Sequence, residues 1–496
     1  QSTPTMRRIL ALVLLIAILT IGYLRFKDHR FIRFFDPTPP ELRITALTRS
    51  GEVPAEESLL IGGSGINLRL HLRDPSGTGL DEVAVRLDDG SGPRELLKKS
   101  YDEWGIAEDT VEITAPATTL KMRVEEVSLE VVAFSKGFAN AKTTKTFKVR
   151  TDFERPRGEV LTVQHNGRIG GALLVVFRVH SNDTAFAGVR WRTREYAGYP
   201  AETLSPELGA FPGLYAAFFP IEQDFDRARD SLKVVIRDKA SNEAVLPFPQ
   251  VIANFSFRAA DMKMSRTFFE GRVAELLPLF AQESGKPIGV PADVSTVSDE
   301  ELASLFKKVN EDYRAFLEEK LAIILKQTAP SRYWDQVFIR PLAAAPTASY
   351  GERRSYFLNG FAAGRSVHQG IDLAHIAMSP VMASNNGAVL FTGMLGIYGE
   401  TVIIDHGMGL ATLYGHLSSI SVGTGDSVQR GQVIGRSGAT GLAGGDHLHV
   451  EFRLQGVPVY PIEWLDPHWM KDHVADQLPF VVKQIKNIMA LSEPPK

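Results

Sequence analysis

Apolar and polar residues alternate with a period of two at intervals along this chain, and that pattern constrains its fold most. Ile66, Leu68, Leu70 and Leu72 alternate with Asn67, Arg69, His71 and Arg73. Val83, Val85 and Leu87 repeat the pattern after a Pro75-Ser76-Gly77 turn, and Val127, Leu129, Val131 and Ala133 repeat it again. Successive side chains of a strand point to opposite faces, so these segments read as half-buried strands with one face on a core. The 42 Gly and 28 Pro supply turns between them. At 496 residues the chain exceeds one domain of roughly 100–200 residues. Its 44% hydrophobic and 23% charged residues are the balance of packed globular protein and exclude a mostly disordered chain.

Reading along the chain divides it. Arg7 and Arg8 precede an apolar run from Ile9 to Leu24, closed by Arg25, Lys27 and Arg30. Apolar on every face and lacking a small-x-small exit, the run reads as an uncleaved signal anchor rather than a cleaved signal peptide. The expected organisation is therefore a transmembrane anchor over 1–36, whose orientation the basic residues at both ends leave open. Pro37, Pro39 and Pro40 mark a linker. Two tandem immunoglobulin-like sandwiches follow, over 41–152 and 155–253. Ser128–Ala133 with Ser135–Asn140 resembles Ser231–Ile236 with Asp238–Asn242, a strand running into a turn in both. These sandwiches read as spacers or as a binding surface for a partner or for cell-wall polymer.

A helical hairpin is expected over 257–330. Phe268, Phe269, Val273, Leu276, Leu277 and Phe280 recur at helical spacing, with Pro278 inside the stretch. A second helix begins at Ser298 with Glu301 as a capping box and carries a stripe from Leu302 to Leu325. That hairpin either packs on a neighbour or forms a lid over a catalytic groove. A C-terminal domain over 335–466 and a final helix over 467–496 complete the reading. The fold class is multidomain and mainly β.

The chemistry lies in the C-terminal third. The chain has no cysteine, which excludes disulfides, zinc fingers, iron–sulfur clusters and thiol nucleophiles, and any metal must use His, Asp or Glu. A net charge of -3 offers no global basic field for nucleic acid. In "GDHLHVEFR", Leu448, Val450 and Phe452 alternate with His447, His449 and Glu451, so two imidazoles face one side of a strand. His368 and Asp372, in "HQGIDLA", are four apart and share a side. Three N/O ligands with one position open are the arrangement of a catalytic zinc, and His/His/Asp suits a chain without cysteine.

The HxxxD of His368 and Asp372 followed by the HxH of His447 and His449 resembles the LytM/lysostaphin-like zinc metalloendopeptidases. "PTASYGERRS", "GETVIIDHGMGLATLYGHLS", "VGTGDSVQRGQVIGRSGATG" and "GVPVYPIEWL" agree in the same order. The likeness covers about 335–466 and implies an antiparallel β peptidase domain. It implies that His368, Asp372 and His449 bind Zn²⁺, with His416 and His447 beside the metal as catalytic non-ligands. It also implies hydrolysis of peptide cross-links in bacterial peptidoglycan. With the anchor, it places the catalytic domain on the periplasmic side of the inner membrane. The alternative is a non-enzymatic or autoinhibited cell-wall regulator or scaffold that binds and activates another envelope hydrolase, an envelope protein then being its partner.

The other histidines read as structural. His406, in "IDHG", suits a turn hydrogen bond, and His375 an exposed position. Tyr414 reads as core or groove wall. Asp446 stands where the resembling family usually has proline, and strand alternation points it away from the metal. The glycines from Gly393 to Gly445 read as tight turns or as points of close approach by an extended peptide. None resembles a phosphate loop, so nucleotide binding is not supported.

Overall fold

The computed structural model describes residues 36–492 apart from 49–50, 56–57, 90–91 and 118–125, together with Val13, Leu14, Ile16 and Thr20. The anchor expected over 1–36 thus lies almost wholly outside the described residues. Among the described residues no helix is long and apolar enough to cross a membrane. The chain separates into two compact units, one up to Pro156 with the short pieces 183–185 and 237–243, the other holding the rest.

The first unit is built of two sheets. One runs Gly51–Pro54, Glu41–Thr48, Ile66–Arg73 and Glu108–Ala115 in spatial order; the other runs Ser58–Ile61, Lys142–Thr151, Glu126–Ser135, Leu80–Asp88 and Pro93–Ser100. Ile66, Leu68, Leu70 and Leu72 are buried as their alternation requires, and they meet Val83, Val85, Leu129 and Val131 of the facing sheet in one core.

In the second unit, the strand Ala172–Val179 shows why alternation can vanish. Its ALLVVFRV run is buried on both faces. Leu173, Val175 and Phe177 enter a core with Val189 and Val234. Leu174 and Val176 instead join Phe218, Trp334, Phe452 and Trp464. The second sandwich therefore shares a core with the C-terminal domain, where an independent spacer would keep a polar face. Phe218, Trp334, Phe338 and Trp464 pack with ring centroids 5.8–6.2 Å apart, each such pair contributing about 0.5–1.5 kcal/mol beyond its burial.

The C-terminal sheet is antiparallel, in the order Pro346–Ala348, Ile371–Leu373, Leu448–Leu454, Leu410–Leu417, Glu400–Gly407, Gly387–Met394 and Ser427–Val428. Its central strands are buried on both sides. Val402, Ile404, Leu410 and Tyr414 face the core shared with the second sandwich and with Val481 and Ile485 of the last helix, Gln477–Ser492. Ile403, Ala411 and Leu413 face the helical hairpin.

That hairpin is an arm laid along the sheet. Ser265 caps the helix Arg266–Ser284, and Ser298 caps the helix that begins at Asp299 by accepting from Glu301 N at 3.2 Å. The latter passes through a π-helical turn at Lys308–Tyr313 and continues as Arg314–Leu325. Phe269 packs on Phe306 at 4.4 Å between ring centroids. Val309, Tyr313, Leu317 and Leu321 are fully buried against the sheet. At Gly396 a Cβ would lie 2.6 Å from the Tyr313 ring, so glycine there lets helix and sheet close up.

Candidate metal centre

Strand register makes the first contact of the site. Asp372 lies directly opposite His449, and Gly415 flanks His449 on its other side. The chain turns just before Asp372 at Gly370, where a Cβ would lie 2.1 Å from Val450 O. His368, ahead of that turn, brings its ring back onto Asp372. His368 Nε2, Asp372 Oδ1 and His449 Nδ1 converge to 2.8–3.0 Å from one another, and all three residues are buried.

Both imidazoles are fixed from behind. His368 Nδ1 donates to the Ser349 carbonyl at 2.9 Å, which leaves a lone pair on Nε2. His449 Nε2 donates to Glu451 Oε1 at 2.9 Å, which turns Nδ1 toward the trio. Asp372 uses Oδ1 in the trio while Arg354 Nη2 holds Oδ2 at 3.3 Å. Three acceptor atoms this close demand a positive charge among them. Burial pushes Asp372 up, but His368 and His449 outweigh it and hold the carboxyl well below its usual range. Burial pushes His449 down, but Asp372 and Glu451 prevail and raise it to about 9. A proton or a divalent cation meets the same demand. Two nitrogens and one oxygen at this spacing can hold zinc with a coordination position left open.

The two remaining histidines stand beside this trio. His416 is the penultimate residue of the strand Leu410–Leu417, its ring 4.8 Å from that of His447 and 5.8 Å from that of His449. Its Nδ1 donates to Thr440 O at 2.8 Å, so Nε2 carries a lone pair. Burial, together with His447 and His449, holds it neutral, well below the usual histidine value. His447 donates from Nδ1 to Gly445 O at 2.8 Å, is partly exposed, and places Nε2 3.7 Å from Asp372 Oδ1. All five predicted site residues border one cavity of about 290 Å³, which also takes Met262, Met264, Phe268 and Arg314 from the arm. Arg272 of the arm donates to Ala443 O at 2.7 Å and Ala439 O at 3.2 Å, holding the loop that leads to His447.

The other predictions find plain structural roles. His406 is buried between Asn386 O at 2.7 Å and Thr412 Oγ1 at 2.8 Å. His375 is exposed and 3.1 Å from Ser379 Oγ. Tyr414 is core, its hydroxyl accepting from Ser384 N. Asp446 faces away from the trio and bridges Ser437 Oγ and Met378 N. Sequence reasoning missed the Ser349 carbonyl, Arg354 and the run behind His449. Glu451 and Arg453 follow His449 at steps of two on one strand face, so their spacing carried a signal. Glu318, which meets Arg453 from the arm, had none.

An antiparallel sheet carrying a buried His-Asp-His group that could hold a metal ion, with two more histidines at the same cavity, is the arrangement expected of a metallopeptidase domain. Residues 366–461 match the model of Peptidase family M23, and this part of the chain is an M23 peptidase domain. DD-carboxypeptidase/endopeptidase Mpg of Neisseria meningitidis serogroup B is 47% identical over 96 residues, 19% of this chain and 22% of that protein. Peptidoglycan DD-endopeptidase ShyA of Vibrio cholerae is 45% identical over 92 residues, 18% of this chain and 21% of that protein. The chain thus matches about a fifth of the length of these relatives. The catalytic domain of the antimicrobial peptidase lysostaphin from Staphylococcus simulans aligns over 25% of this chain and 92% of its own, at 29% identity and a TM-score of 0.21.

Proposed function

We propose that this chain is a membrane-anchored zinc metalloendopeptidase that hydrolyses peptide cross-links of bacterial peptidoglycan. The observation that carries the reading is the convergence of His368 Nε2, Asp372 Oδ1 and His449 Nδ1, with both ring tautomers set by acceptors behind them. The M23 match and the peptidoglycan endopeptidases among its relatives point to the substrate. His368, Asp372 and His449 would hold Zn²⁺, which when bound would supply the Lewis acidity that polarises a scissile carbonyl and acidifies water near neutral pH. His416, neutral and with Nε2 free, accepts the proton of the attacking water. His447, at the open side of the cavity and with Nδ1 held by Gly445 O, donates from Nε2 as an imidazolium toward the oxygen where negative charge develops. Arg354 keeps the Asp372 carboxylate from turning out of the trio.

The apolar run from Ile9 to Leu24 supports an anchor in the inner membrane, with the catalytic domain on the periplasmic side. Digestion of purified sacculi, read by mass spectrometry, tests the activity: cross-linked muropeptides should fall, and a chelator should abolish the effect. Protein that leaves sacculi intact yet stimulates another envelope hydrolase would establish the regulator instead. Protease accessibility in spheroplasts tests the placement, since a cytoplasmic catalytic domain would remain protected.

A further inference from the structure

We infer that Glu318, on the helical arm, is a positioning residue for the metal ligand His449. The inference rests on the zinc reading above. A continuous line of hydrogen bonds, buried at its inner end and part-buried at Glu318, connects them. His449 Nε2 meets Glu451 Oε1 at 2.9 Å, and Glu451 Oε2 accepts from Arg453 Nε at 2.5 Å. Arg453 then forks onto Glu318, Nη1 to Oε2 at 2.7 Å and Nη2 to Oε1 at 2.8 Å. Tyr398 braces the fork, its hydroxyl 3.2 Å from Glu318 Oε1 and 3.3 Å from Arg453 Nη2. Glu451 and Arg453 are almost inaccessible, with side-chain exposures of 0% and 2%.

The physical logic runs outward from the metal. A ligating imidazole is a better donor when its other nitrogen gives its hydrogen to a carboxylate. Glu451 is that carboxylate, but it shares itself with Arg453. An Arg453 neutralised only by Glu451 would draw that anion toward the guanidinium and weaken its hold on His449. The bidentate Glu318 takes up the outer side of Arg453 and leaves Glu451 oriented toward the ring. Glu318 lies outside the M23 match, so this support comes from the arm and not from the peptidase domain. The arm is thereby part of the metal site, which the lid reading did not anticipate.

The test is zinc affinity of the full chain, measured by competition with a chromophoric chelator, together with the visible spectrum of the Co²⁺-loaded protein. Glu318→Gln keeps the shape and removes the charge, and Glu318 is the most exposed link at 37%, so the fold tolerates it. We expect zinc affinity about tenfold weaker and a shifted Co²⁺ spectrum. Glu318→Asp, which keeps the charge but withdraws it, should fall between. Lys320→Gln on the same helix, which breaks the 2.9 Å pair with Glu283 and the cation–π contact with Phe316 and touches no link of this line, should leave both readouts unchanged. Circular dichroism confirms that each variant is folded. Unchanged affinity and spectrum in a folded E318Q would overturn the inference. Wild type that binds no zinc would overturn the zinc reading itself.

Discussion

His416 sits at φ +61, a left-handed backbone that costs a residue with a Cβ about 1 kcal/mol or more. The surrounding sheet holds it there, and the outcome is a ring turned out of the strand toward His447 and His449. Because His416 is no part of the converging trio, its loss separates metal binding from proton transfer. His416→Ala should lower kcat on peptidoglycan fragments by about 10²–10⁴-fold with one zinc per chain retained, as read by elemental analysis. Loss of the metal as well would make His416 a ligand and undo the assignment. His449→Ala removes one corner of the trio and strands Glu451 beside Arg453. Its expected signature is the reverse, a zinc content near zero after dialysis; stoichiometric metal in that variant would relocate the site.

At the scale of elements, what could be read in the sequence followed from periodicity, and what could not followed from layering. Ile66–Arg73 buries one face and declares itself by alternation. Leu410–Leu417 buries both, so its LATLYGHL run revealed a strand only through family likeness. The ligand strand stated its polar face openly as His449, Glu451 and Arg453, while the partner of Arg453 lay on a helix that sequence spacing cannot connect to it. The two helical stripes were legible, but not which surface they cover, because a stripe records that a face is buried and not by what. Phe306 joins three of these pieces, packing 4.4 Å from Phe269 and 5.4 Å from Tyr356, and is fully buried. Phe306→Ala should therefore destabilise the second unit by about 3–5 kcal/mol in urea unfolding. A loss below about 1 kcal/mol would mean the arm packs more loosely than its contacts show.

For the molecule as a whole, a carboxyl at the joint between the second sandwich and the peptidase domain contributes to how stability responds to pH. Glu463 is buried there, Oε2 accepting from Ala172 N at 2.8 Å and Oε1 lying 3.4 Å from Arg168. Burial raises its carboxyl to about 8, against Ala172 N and Arg168, which pull it down. The folded chain therefore keeps this proton at pH values where the unfolded chain, near 4.5, has released it. That contribution is complete below about 4.5 and is lost as pH rises through about 8. His406 works on the acid side, since burial lowers it to about 4. Its contribution is complete above 6.5 and is lost as pH falls toward 4. Glu463→Gln keeps an acceptor for Ala172 N and abolishes the ionisation. Relative to wild type the variant should differ by less than about 1 kcal/mol at pH 5 and be more stable by roughly 4–5 kcal/mol at pH 8.5. Thermal melts of both proteins across that range measure the difference. A gap that stays constant with pH would show that Glu463 ionises as readily in the folded chain as in the unfolded one.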